Sequence, residues 1–203
     1  MKTICLTGGI ASGKSTAVQY LKDKNAHVID ADKLGHKAYE PGQPANEALV
    51  QTFGDDVRGD DGQINRKVLG SKVFGKPDEL KKLTDIVWPE IRRLAESEIR
   101  SIRETDPDKI VALEAAILFE AGWEDIGDDI WVITVDRETA ISRSIQRDNF
   151  TREDVEKRLN SQLSNEERTA RAGLVITNNG TKDEYLAQLD AAWTTRVVNS
   201  QSK

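Results

Sequence analysis

The sequence predicts an α/β fold: a five-stranded parallel sheet flanked by helices, with a helical lobe and a lid inserted into it. Three observations predict it. Five short apolar runs, most of them β-branched, recur along the chain, each bounded by Gly, Asp or Asn. They are continuous rather than alternating, as in strands covered on both faces. Helical patterns separate them, and alternating β and α elements build a parallel sheet.

The first strand is read at 3–7 and runs into Gly8 and Gly9, with a helix over 15–24. The second, 27–29, ends on Asp30. The stretch 33–108 is too long for a simple crossover and holds helix candidates at 44–53, 65–74 and 77–103. Pro89 is expected to kink or split the last of these. A third strand, 110–113, leads to Glu114, and a fourth, 130–135, to a helix over 139–147. The segment 148–171 has Thr151 and Ser164 as N-caps, Ser164 forming a capping box with Glu167. After the fifth strand, 174–177, Thr181 and Glu184 form a capping box opening a helix over 182–197. Leu186, Leu189, Trp193 and Val197 repeat along it at helical spacing.

A chain of 203 residues suits one domain. The expected division is a core of 1–32, 109–147 and 172–203, a substrate lobe of about 33–108 and a lid of about 148–171. The plainer alternative for both insertions is helices that only enlarge the core.

The net charge of −6 argues against nucleic acid or an anionic membrane as partner. The acid excess is uneven. Residues 1–24 hold four lysines against one aspartate, whereas 104–138 hold eleven acidic residues against two basic ones. The single cysteine, Cys5, excludes an intrachain disulfide and a cysteine-built zinc site and suits a reducing compartment. His27 and His36 are too few for a histidine-built metal centre. No apolar run approaches the ~18 residues of a membrane span, and the N-terminus lacks the apolar core of a signal peptide. A cytoplasmic monomer is the expectation.

Gly8-Gly9-Ile10-Ala11-Ser12-Gly13-Lys14-Ser15 matches G-x-x-x-x-G-K-[ST], between a strand and a helix. Glycines let backbone N–H groups converge on phosphate oxygens, and the helix N-terminus faces the anion. Lys14 can reach the β- and γ-phosphates, and the Ser15 hydroxyl can ligate Mg²⁺. No Asn-Lys pair occurs, which disfavours a guanine-nucleotide switch.

Asp30 and Asp32 follow the second strand. In an extended chain residues two apart face one side, so the pair suits a base, Asp32, beside a metal-side group, Asp30. The alternative is a solvated pair capping the next helix. Glu114 suits a position near Mg²⁺, or a partly buried charge paired elsewhere. Arg143 and Arg147 share a helix face, and a planar guanidinium stabilises a phosphoryl group in transfer. For these two, as for Arg152, a surface ion pair is the alternative.

Together these pieces resemble the dephospho-coenzyme A kinase family. The resemblance is carried by Thr7–Thr16, Val28–Asp32, Glu40–Gly42, Ile64–Gly70, Val73–Phe74, Ile117–Glu120, Gln146–Asp148 and Asn178–Gly180, in family order along nearly the whole chain. At Ala116-Ile117-Leu118, Trp88-Pro89 and Glu120–Trp123 the chain is more similar to the kinase half of the bifunctional coenzyme A synthase. The resemblance implies a P-loop kinase fold and transfer of the ATP γ-phosphate to the ribose 3′-hydroxyl of dephospho-coenzyme A. It implies that Gly9 and Ala11–Thr16 (Ala11, Ser12, Gly13, Lys14, Ser15, Thr16) bind ATP phosphates, that Asp32 is the base and that Arg147 is a lid arginine. Asn178 and Asn179 lie where the family's loop meets adenine, though a tight turn needs them equally. Leu118, Phe119, Glu120 and Trp123 would line the acceptor side, or pack the core. Arg66 and Lys67 would meet the acceptor's pyrophosphate, or open a solvated helix. From the residues alone, the reading stops at ATP and an oxygen acceptor. Another small-molecule kinase, or a nucleotide-binding regulator without turnover, stays open there.

Overall fold

A computed structural model describes residues 2–148 and 150–199. The chain divides into two compact units, Met1–Ile29 with Thr105–Lys203, and Asp30–Glu104.

The first unit is built on a parallel sheet of β1 (Thr3–Gly8), β2 (His27–Asp30), β3 (Val111–Glu114), β4 (Asp129–Thr134) and β5 (Leu174–Thr177), in the order β2-β3-β1-β4-β5. β1 lies between β3 and β4, with Leu6 opposite Glu114 on one side and Trp131 on the other. All six β1 residues are buried, which is why their pattern is apolar without alternation. Helices α1 (Lys14–Asp23) and α9 (Lys182–Trp193) join this core. Ala17 and Leu21 of α1 and Tyr185, Leu189 and Ala192 of α9 pack with Ile4, Leu6, Trp131, Ile133 and Ile176. Each large aliphatic chain so buried contributes about 1.5–3 kcal/mol. α6 (Arg137–Asp148), α7 (Arg152–Asn160) and α8 (Asn165–Thr169) complete the unit. Thr151, Ser164 and Thr181 each close a capping box, with Asp154, Glu167 and Glu184. The last helix departs from a single α-helix to 197: after Trp193 it widens into a π-helical turn, Thr194–Val198, and Val197 stays buried.

The second unit is helical: α2 (Ala31–Lys37), α3 (Pro44–Phe53), α4 (Arg66–Val73) and α5 (Pro77–Thr105). Asp30 caps α2, its carboxylate accepting the Lys33 N–H at 3.1 Å. Asn65 caps α4 through the Lys67 and Val68 amides. Pro89 does not split α5, which continues through it as one helix. A proline inside a helix costs about 3 kcal/mol. Val87, Ile91, Ala95 and Ile99 form one buried face on both sides of it, enough apolar burial to offset that cost.

Cys5 is fully buried in β1, and burial pushes its thiol up to about 12. The folded protein should resist iodoacetamide at pH 8 and take up one adduct once unfolded. Stoichiometric labelling of the native chain, read by intact mass, would place Cys5 outside the core.

Among the described residues, no helix is long and apolar enough to cross a membrane.

Candidate active site

The loop between β1 and α1 holds two residues in the left-handed region, Ala11 at φ 54° and Gly13 at φ 100°. At Gly13 the absence of a Cβ is required twice. The torsion disfavours one, and a Cβ there would lie 2.3 Å from Asn178 Nδ2. At Gly8 a Cβ would meet the Ile133 carbonyl oxygen at 2.4 Å. The loop is thus drawn tightly against β4 and the chain after β5.

Asn178 braces it from behind. The Asn178 side chain is buried, Nδ2 donates to the Ser12 carbonyl at 2.8 Å, and Oδ1 accepts from Arg143 at 3.5 Å. The Tyr185 hydroxyl donates to the Gly13 carbonyl at 3.1 Å, and burial holds it well above the usual phenol range. Lys14 curls back over the loop, Nζ donating to the Gly8 and Gly9 carbonyls at 2.9 and 3.3 Å. The buried hydroxyls Ser12 Oγ and Thr7 Oγ1 have no hydrogen-bond partner.

Beside the loop opens a cleft of about 460 Å³, lined by Ala11, Gly13 and Thr16, by Arg143 and Arg147 of α6, and by Asn178. Its size suits a small ligand. The glycine cradle with its backbone amides and Lys14 makes a donor set that fits a phosphate chain.

Asn179 is turned elsewhere: its Oδ1 accepts the Asp136 N–H at 2.8 Å, tying the chain after β5 to the start of α6. Arg147 makes a two-point ion pair with its neighbour Asp148, at 2.8 and 2.7 Å, which holds that carboxyl below its usual range. Arg152 pairs with Glu138 and Glu156. Glu114 is half-buried at the end of β3. Leu118, Phe119 and Trp123 are buried in packing, and Glu120 lies 3.9 Å from Arg168.

In the helical unit, Asp30 and Asp32 are not paired on an extended chain. Asp30 ends β2 as a cap and Asp32 stands exposed in the first turn of α2, where residues two apart do not share a face. Arg66 Nη1 lies 2.9 Å from His36 Nε2, with its guanidinium over the Tyr39 ring.

Two residues at the loop have no counterpart in the sequence reading. Gln162 Oε1 accepts the Ile10 N–H at 3.1 Å, and buried Arg168 approaches Gly9. Nothing in local periodicity marks either one.

The model of the dephospho-CoA kinase family matches residues 2–184 of this chain. The chain belongs to that family. A dephospho-CoA kinase of Geobacter sulfurreducens is 43% identical over 97% of this chain and 99% of its own length. Another, of Symbiobacterium thermophilum, is 39% identical over 95% of this chain and 80% of its own. Among solved structures, a Thermus thermophilus protein superposes with TM-score 0.81 at 32% identity, covering 97% of both chains. The dephospho-CoA kinase of Campylobacter jejuni superposes with TM-score 0.73 at 26% identity, covering 97% of this chain and 98% of its own. Shikimate kinase of Acinetobacter baumannii, 13% identical with TM-score 0.51, covers 97% of this chain and 96% of its own and shares the fold alone. The fold is therefore that of P-loop kinases. As a dephospho-CoA kinase family member the chain is an ATP-dependent kinase, and the family reaction is the last step of coenzyme A biosynthesis.

Proposed function

We propose that this chain transfers the ATP γ-phosphate to the ribose 3′-hydroxyl of dephospho-CoA, with Asp32 taking the hydroxyl proton. The observation that carries the reading is the braced glycine loop of Gly8–Ser15 within a chain of this family. ATP phosphates lie on the backbone amides of the loop and on Lys14, whose grip on two carbonyls is exchanged for phosphate oxygens. Asp30 spends one oxygen as a helix cap, which fixes its carboxylate ahead of Asp32.

Mg²⁺ would be held by the exposed Ser15 hydroxyl, with Glu114 reaching it directly or through water. When bound it neutralises charge on the β- and γ-phosphates. No cluster of three metal-ligating side chains occurs among the described residues.

Arg143 and Arg147 face the nucleotide cleft and oppose phosphate charge. Arg147 must leave Asp148 to do so. Arg147→Ala is expected to lower kcat by about tenfold or more while ATP affinity changes less, since the arginine acts on charge that develops during transfer. Equal kcat in steady-state assays would remove it from the mechanism.

Arg66 and Lys67 bind the acceptor's phosphates, and Glu120 borders its side of the site. α7 and α8 form the lid, and the helical unit the acceptor lobe. The protein works as a cytoplasmic monomer without nucleic acid or membrane, in keeping with one buried cysteine and a net acidic surface. Incubation with Mg-ATP and a panel of acceptors tests the assignment. CoA should form from dephospho-CoA, and phosphorylation of another acceptor instead would overturn it.

A further inference from the structure

Gln162 lies in the turn between α7 and α8, and its carboxamide oxygen accepts the Ile10 N–H of the phosphate loop. A backbone N–H only donates, so the oxygen end must face it, and this bond sets the amide plane. The Nε2 end, with two donors, is turned away from the Ile10 amide, and it has no hydrogen-bond partner among the described residues. The residue lines a cleft of about 870 Å³ with Gly9, Ile10, Thr134 and Arg168.

Arg168 stands beside it. Its side chain is only 3% exposed, and Nη1 donates to the Leu163 carbonyl, the residue next to Gln162. Nη1 also lies 3.4 Å from where a Gly9 Cβ would sit. The charge is poorly answered: Glu120 is 3.9 Å away and the buried Nε has no partner. A buried guanidinium left in that state is costly, and an anion at the loop edge would complete it.

We propose that Gln162 is a further phosphate-contacting residue, its Nε2 donating to an oxygen of the transferred γ-phosphoryl group. Arg168 is the positioning residue that holds Leu163, and with it the Gln162 turn, against Gly9. This rests on the kinase reading above.

Gln162→Glu separates the two ends of the side chain. Glutamate keeps an oxygen for the Ile10 N–H and loses both donors. A mere clamp would keep its Ile10 bond in Gln162→Glu and lose it only in Gln162→Met, where the melting temperature reports that loss, whereas a phosphate donor is lost in both. Gln162→Glu should lower kcat by about a hundredfold, the scale of losing one donor to a transition-state oxygen. Its melting temperature should stay near the parent's. Gln162→Met, which carries no charge to repel phosphate, should fall comparably. Arg168→Met should lower kcat about tenfold with the KM for dephospho-CoA unchanged, and Arg168→Lys should recover part of the loss. Turnover of Gln162→Glu within threefold of the parent overturns the inference, as does loss in Gln162→Met with Gln162→Glu intact. Parent activity beside an equally active Gln162→Glu sinks the inference alone. A parent that forms no CoA sinks the kinase reading as well.

Discussion

Asp32→Asn should lower kcat for CoA formation by about 10²- to 10⁴-fold while the Kd for ATP stays within about twofold. Asparagine keeps the size and polarity of the side chain and removes only the ability to take a proton. Among the described residues that carboxylate holds no cap or ion pair: Asp30, not Asp32, caps α2, and Asp32 is exposed in the first helical turn. Its loss there costs a few tenths of a kcal/mol of helix-dipole stabilisation, too little to unfold the lobe. Steady-state assay of CoA formation and calorimetric ATP binding give the two numbers. A variant as active as the parent would mean that another group accepts the proton. Loss of ATP affinity in step with kcat would mean that Asp32 serves nucleotide binding instead.

The legible parts of this chain are those whose physics is local. The glycine loop is a sequence pattern because several backbone groups within eight residues must meet one anion. The capping boxes Ser164–Glu167 and Thr181–Glu184 are legible because both partners sit three residues apart. The apolar run of β1 is legible because it is covered on both faces, whereas the edge strand β5 leaves Val175 and Thr177 exposed, so its run does not mark a doubly covered strand. α2 was hidden for the opposite reason. It has seven residues and a glycine, Gly35, and forms because Asp30 caps it and Ala31 and Leu34 are buried. The extended pairing of Asp30 and Asp32 does not form, and the alternative of a helix cap is what Asp30 supplies. The brace of Asn178 on Ser12 and the clasp of Gln162 on Ile10 join residues 166 and 152 positions apart. No period or spacing encodes such contacts. Net charge misled least once divided: the acid excess lies over 104–138, and phosphate is met by amides, Lys14 and a few arginines.

Gly13→Ala should be a strongly damaging single-methyl change in the phosphate loop. The residue sits at φ 100°, where an L side chain costs about 1–2 kcal/mol. The new Cβ would also lie 2.3 Å from Asn178 Nδ2 and 3.3 Å from the Tyr185 ring. Neither neighbour can yield cheaply. Asn178 is the donor that holds the Ser12 carbonyl, and Tyr185 is packed in the core with its hydroxyl on the Gly13 carbonyl. Moving the amide breaks a buried hydrogen bond, at about 1–3 kcal/mol, and releases the loop whose amides receive phosphate. Together these effects should lower the melting temperature by about 5–15 °C and weaken ATP binding by about a hundredfold or more. Gly122→Ala separates strain from crowding. It shares a positive φ, 66°, yet a Cβ there has open space within 4 Å. That variant should lose about 1–2 kcal/mol of stability and keep its ATP affinity. If Gly13→Ala is no worse than Gly122→Ala in melting and in ATP titration, the Asn178 brace does not shape the loop. If it melts lower yet binds ATP normally, the brace serves stability alone.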